Sequence, residues 1–113
     1  MISRFQLKID VLDPEYEAEK FPISHGLWIF KKDFKESFEI QKGDTLNLRH
    51  IDSSFHFGKV SRIYGAFEEA ARTLIKVEYI EVEGYVHMEG WGRLKEIQER
   101  AKEEGWIILY EDA

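Results

Sequence analysis

The sequence predicts an α+β domain: an antiparallel sheet or partly open small β-barrel of about six strands, packed against one C-terminal amphipathic helix. Three observations support this fold class. Apolar and polar side chains alternate over residues 3–12, as in a half-buried strand. Several further apolar runs are separated by turn residues. Late in the chain, 91–104 has helical periodicity and an apolar strand follows at 106–110.

The first part of the chain combines strands with polar connections. After the strand at 3–12 comes an acidic loop that ends in Pro22, and then a compact apolar strand at 25–30. Polar residues with spaced aromatics lead into a short strand around 37–40. Lys42-Gly43-Asp44 is a turn signal, so a new strand is expected directly after it.

That next strand is expected to open a hairpin. Alternation predicts one strand over 45–51, the turn-forming residues at 52–54 follow, and a second strand covers 55–64. A three-residue turn would place His50 directly opposite His56 on one face of the sheet.

The second part of the chain contains a long strand and the predicted C-terminal helix. Apolar residues on one side permit a short helix over 66–74, and a long strand that either bends or divides near Gly84 follows. In the main helix, Leu94, Ile97 and Ala101 form an apolar stripe, and Gly105 suits its C-terminal cap. The unbroken apolar character of 106–110 predicts burial on both faces.

Composition limits the class of protein. We expect one domain over 1–113, because 113 residues is an ordinary domain length. Without cysteine there are no disulfides or thiolate metal sites. No apolar run is long enough to span a membrane and no signal-peptide pattern opens the chain, so a cytoplasmic protein is expected. The net charge of −6 disfavours general binding to nucleic acid.

Histidines and carboxylates raise the hypothesis of a metal site. His50, Asp52 and His56 cluster at the predicted hairpin, and His87 with Glu89 could complete a site through tertiary contact. The two hairpin histidines could equally act as an acid–base pair in a hydrolase. A solvated hairpin tip explains the same residues without chemistry, and no cofactor is expected.

Aromatic residues between basic ones suggest a binding surface. The hairpin strand carries Phe55, Phe57 and Tyr64 with Lys59 and Arg62 among them, a composition that also occurs in proteins that stack nucleic-acid bases. We expect Phe55, Phe57 and Lys59 to share one face of the sheet.

A tryptophan supplies one more candidate for binding. Trp91 stands between two glycines at the start of the main helix, where another chain could approach closely.

The leading prediction of function is a small acidic binding or regulatory module, without enzymatic activity, whose partner is another protein. By association with its class, this would be an inhibitor, immunity protein or antitoxin. A homo-oligomer is also compatible. The first alternative is a barrel-like domain that binds nucleic acid or a small ligand through residues 45–64. The second is a hydrolase that uses His50 and His56, either with a metal or as a histidine pair.

Overall fold

In the part of the chain that the structure describes, six strands form one mixed sheet that curves into a half-barrel and one α-helix contributes to its core, so the α+β prediction is confirmed. The computed structural model describes residues 2–12, 24–51, 55, 57–87 and 91–112. Its elements in chain order are β1 (Ile2–Leu12), β2 (Ser24–Phe34), β3 (Thr45–Leu46), a 3₁₀ helix (Leu48–His50), β4 (Gly58–Ala70), β5 (Thr73–His87), α1 (Trp91–Glu103) and β6 (Ile107–Asp112).

The strands lie in the order β3-β4-β5-β1-β2-β6. All neighbouring strands are antiparallel except β1 and β5, which pair in parallel from Ile2 opposite Val77 to Leu12 opposite His87. The sheet is therefore mixed rather than antiparallel throughout. Alternation along a strand indicates which side chains are buried, but it carries no information on the direction of the neighbouring strand.

The core lies on the side of the sheet to which the apolar residues of β1 point, and we call this side the inner face. Phe5, Leu7, Ile9 and Val11 of β1 are all buried, as their spacing predicts. On β2, Trp28 and Phe30 are buried with stacked rings, 5.8 Å between centroids. Each fully buried side chain of this kind stabilises the fold by about 1.5–3 kcal/mol.

The C-terminal helix agrees with its prediction. Ile97 and Ala101 are buried in the same core, so the apolar side of α1 faces the sheet. Gly105 follows with a φ of 93°, and the Trp106 N–H donates to the carbonyl of Ala101 over 3.1 Å, which ends the helix. No helix in the described part of the chain is long and apolar enough to cross a membrane.

The final strand differs from expectation. β6 lies at the edge of the sheet, where Ile107 and Leu109 are 66% and 49% exposed. The prediction of burial on both faces was wrong, because an apolar run specifies neither how many neighbours a strand has nor which of its faces is covered.

The short helix that the sequence permits over 66–74 does not form. β4 continues as a strand to Ala70, and a two-residue turn leads directly into β5 at Thr73. Ala71 and Arg72 have φ values of 48° and 68°, the left-handed geometry that suits the twist of a two-residue hairpin. Cross-strand pairing here overrides the helical spacing. β5 then runs without a break through Gly84.

Two shorter predictions failed in the connection between β2 and β4. Residues 37–40 form no strand, although Phe38 and Ile40 still pack on the core. Of the strand predicted over 45–51, only Thr45–Leu46 pairs, after which the chain turns into the 3₁₀ helix. The side chain of Asn47 caps this helix by accepting a hydrogen bond from the Arg49 N–H, so the local hydrogen bond replaces strand pairing.

Candidate functional site

The histidine hairpin is not present as predicted. His50 belongs to the 3₁₀ helix, and β3 meets β4 through the pairs Thr45–Lys59 and Leu46–Gly58. Among the described residues, His50 therefore has no cross-strand partner. Its side chain is exposed, and its Nδ1 donates to the carbonyl oxygen of Asn47 over 2.8 Å. Because the carbonyl can only accept, Nδ1 carries the proton in the neutral ring, which leaves Nε2 as an acceptor.

The metal hypothesis falls mostly on residues whose positions are not described. Asp52, His56 and Glu89 lie outside the described residues, and only the backbone of His87 is described, at the end of β5. Within the described part of the chain, no three metal-ligating side chains come together. The five-residue metal site therefore stays a prediction.

The predicted aromatic face is divided between the core and solvent. Phe55 is 2% exposed, with its ring centroid 5.8 Å from that of Phe30, whereas Phe57 is 57% exposed. The sequence predicted that Phe55 shares a face with Phe57 and Lys59. In the structure Phe55 is buried and does not share an exposed face with them. The simple alternation that predicted a shared face does not apply, because β4 begins only at Gly58.

The remaining candidates on β4 do share a face, for a reason the sequence does not reveal. A bulge between Val60 and Arg62 shifts the register with β5. After the bulge, Arg62 and Tyr64 follow Lys59 on the side of the sheet opposite the core, which we call the outer face. Without the bulge, period-two alternation would have turned Arg62 and Tyr64 inward.

On the outer face, aromatic rings and guanidinium groups form one continuous stack. The ring centroids of Tyr64 and Tyr79 lie 4.8 Å apart, and the angle between the two ring planes is 5°. Cζ of Arg62 lies 4.2 Å from the ring centroid of Tyr64, and Cζ of Arg4 lies 5.3 Å from the ring centroid of Tyr79. These contacts occupy the ring faces that a nucleic-acid base would need for stacking.

Arg4 of β1 links its own strand to three others, β2, β4 and β5. Its Nε and Nη2 donate to Asp33 over 2.7 and 3.0 Å, and its Nη1 donates to Glu68 over 2.7 Å and to the Tyr79 hydroxyl over 2.9 Å. The hydroxyl of Tyr79 in turn donates to Glu68. Arg4 therefore acts as a structural cross-link, because its donors are already used within the protein.

Titration of this network follows from its contacts. The hydrogen bond from Tyr79, followed by the one from Arg4, holds the pKa of Glu68 below its ordinary value. The same hydrogen bond to Glu68, followed by burial, raises the pKa of Tyr79. Hydrogen bonding to Asp33 is the largest of the effects that raise the pKa of Arg4, so its charge persists across the accessible pH range.

Carboxylates oppose the basic residues of this face. Lys59 is paired in register with Glu83, and Arg62 with Glu81. Each of these two basic residues therefore has a carboxylate as its strand partner, which reduces the local positive charge on which phosphate-backbone binding depends.

A small apolar cavity of about 210 Å³ opens on the inner side of the half-barrel. Aromatic and leucine side chains dominate its wall, and two polar side chains complete it. The lining residues are Phe5, Leu7, Phe34, Phe38, Leu46, Asn47, Leu48, His50 and Trp106. From the sequence, His50 was considered only for metal or acid–base chemistry, and the aromatic residues of the wall were not singled out.

The edge formed by β6 presents a second apolar feature. Ile107 and Leu109 pair with Lys31 and Ile29 of β2 and share the outer face with them. The sequence signal was the uncharged run at 106–110, but only the strand order shows that this run lies at an edge.

Trp91 begins α1, and its side chain lies outside what the structure describes.

Comparison of the chain with protein-family models, with curated proteins and with solved structures finds no match.

Proposed function

We propose that this domain is a protein-binding module that adds an extended segment of a basic partner to β6, the last strand of the sheet in the described part of the chain. The observation that carries the proposal is the exposed apolar pair Ile107 and Leu109 on an edge strand. An edge strand presents unpaired backbone N–H and C=O groups, and apolar side chains beside them favour strand addition.

The two edges of the sheet differ in how they are protected. Beyond its short pairing with β3, the exposed edge of β4 carries Arg62, Glu68 and Glu69 and contains the bulge. Charges and bulges of this kind discourage pairing with another chain. Residues 107–110 of β6 contain no charged residue, and within the described part of the chain β2 is the only strand that pairs with β6.

Charge supports a basic partner rather than a second copy. The chain carries a net charge of −6, so two copies repel each other, whereas a basic protein is attracted. Long-range attraction of this kind raises the association rate and weakens as salt is added. Binding by strand addition would act through occupancy, as expected for an inhibitor or regulatory module.

The experiment compares two exposed leucines. Leu109→Gln alters the β6 edge, and Leu74→Gln, at a residue that is 70% exposed near the β4–β5 turn, is the matched control. The tagged chain and both variants are used to capture proteins from host extract, and bound proteins are quantified by mass spectrometry. We expect a basic protein that the wild type and Leu74→Gln retain equally. Measured with that purified protein, Leu109→Gln should weaken binding by about tenfold, or ~1.4 kcal/mol.

Two results would contradict the proposal. Equal binding by Leu109→Gln and the wild type would remove the β6 edge from the interface. Sedimentation that shows a dimer of this chain, dissociated by Leu109→Gln, would assign the edge to a second copy instead.

A further inference from the structure

We infer that the cavity on the inner side of the half-barrel binds a small neutral aromatic molecule that carries one hydroxyl or N–H group, of the phenol or indole class. The cavity is distinct from the β6 edge, because it lies on the inner side while Ile107 and Leu109 face outward. The inference therefore does not depend on the proposed protein partner.

The size of the cavity limits the ligand to one or two rings. Its volume is about 210 Å³. An apolar protein cavity of about 150 Å³ accepts benzene, so the larger volume admits a substituted single ring or a fused pair of rings.

The wall is shaped for an aromatic ring. Phe5, Phe34 and Phe38 meet edge to face, with centroids 5.4, 5.2 and 5.5 Å apart. A ring that enters beside them finds both ring edges and ring faces, the two surfaces that aromatic pairs use. Lys32 lies 5.1 Å from the ring of Phe34 and 5.7 Å from that of Trp106, and so helps to hold both rings in place.

The polar groups of the cavity suit one hydroxyl or N–H. Nε2 of His50 is an acceptor, because Nδ1 donates to Asn47. The Oδ1 of Asn47 accepts from the Arg49 N–H, which leaves the carboxamide NH₂ as a donor. A phenolic hydroxyl can donate to the first group and accept from the second. Since no Asp, Glu, Lys or Arg is among the lining residues of this cavity, a neutral ligand is favoured.

The test uses phenol and toluene, which have nearly the same shape but differ in the hydroxyl. Each is titrated into the full chain while the methyl resonances of Leu46 and Leu48 are followed by NMR. We expect ring-current shifts at both residues with both probes, and tighter binding of phenol by about fivefold for each hydrogen bond of ~1 kcal/mol that its hydroxyl forms.

Three variants locate the site and its polar group. Leu46→Trp fills the cavity and should weaken the binding of both probes by at least about tenfold. Leu74→Trp makes the same change at an exposed leucine outside the cavity and should leave binding unchanged. His50→Phe, at an exposed position that does not contribute to the core, should bind toluene as before but lose about fivefold of the preference for phenol, the share of the hydrogen bond to Nε2.

The inference is overturned if neither probe moves the Leu46 and Leu48 methyl resonances. It is equally overturned if His50→Phe retains the full preference for phenol. Leu109→Gln should bind phenol with the wild-type affinity. A negative result for the protein partner at the β6 edge can therefore be distinguished from a negative result for the ligand in the cavity.

Discussion

The rings of Tyr64 and Tyr79 stack almost in parallel across β4 and β5, with 4.8 Å between their centroids. The two residues are direct partners in the strand register. Arg62 and Arg4 cover the outer ends of the stack, so the tyrosines stabilise the sheet and their ring faces are not open to a ligand.

Removing one ring of the stack should lower the free energy of unfolding. Tyr64→Ala loses the aromatic pair and the contact with Arg62, which together stabilise the fold by about 1–2 kcal/mol. Tyr64→Phe keeps the stack and should change stability by less than about 0.5 kcal/mol. Urea denaturation measures both variants, and equal losses would show that the stack itself contributes little.

The pH dependence of stability should include a contribution from Glu68. Its pKa in the folded protein is lowered from 4.5 by the hydrogen bond from Tyr79 and by Arg4. A lowered pKa stabilises the fold above the unfolded value, and this contribution disappears as the pH falls through the folded value. Glu68→Gln should therefore lower the urea midpoint near neutral pH and leave it close to the wild type at about pH 2.

Glu69→Gln is the control, since it removes a carboxylate from the adjacent exposed residue. A difference in urea midpoint between Glu68→Gln and the wild type that stays constant between the two pH values would contradict this role of Glu68.

Tyr79 contributes to the pH dependence of stability at the alkaline end. Its pKa is raised from 10.0 by hydrogen bonding to Glu68, so its contribution to stability is present below that value and is lost at higher pH.

Phe55 and Phe57, although only two residues apart, should respond differently to truncation. Phe55→Ala removes a buried ring beside Phe30 and should cost about 3–5 kcal/mol. Phe57→Ala removes an exposed ring and should change stability by less than about 0.5 kcal/mol. Thermal or urea denaturation checks the pair. A stable Phe55→Ala protein would mean that this ring is not part of the core.

Two glycines of β4 should differ in their tolerance of a methyl group. A Cβ at Gly58 would stand 2.6 Å from Cγ1 of Val82 and 2.9 Å from Cδ1 of Leu48, so Gly58→Ala should cost about 1–3 kcal/mol. At Gly65 the nearest atom is Cε of Lys76 at 3.6 Å, an ordinary contact, and Gly65→Ala should be neutral or slightly stabilising. Similar urea midpoints for the two variants would show that the side chains around Gly58 rearrange to accommodate the added methyl group.

Parts of the candidate sites were predictable because they depend on local pattern. The apolar run at 106–110 was visible in the sequence, as was the mixture of aromatic and basic residues on β4. Their roles were not visible, since these depend on which strand is last in the sheet and where a bulge interrupts the alternation. The cavity was also hidden, because its walls come from segments far apart in the chain.

From the residue order alone, the buried face of β1, the apolar side of α1 and the α+β class could be inferred. These follow from side-chain periodicity, which depends on local backbone geometry and not on distant partners. The parallel pairing of β1 with β5, the extension of β4 through 66–70 and the exposed edge at β6 depended on long-range contacts. Pairing energy between strands distant in sequence can override local preference, and local periodicity does not specify which strands meet.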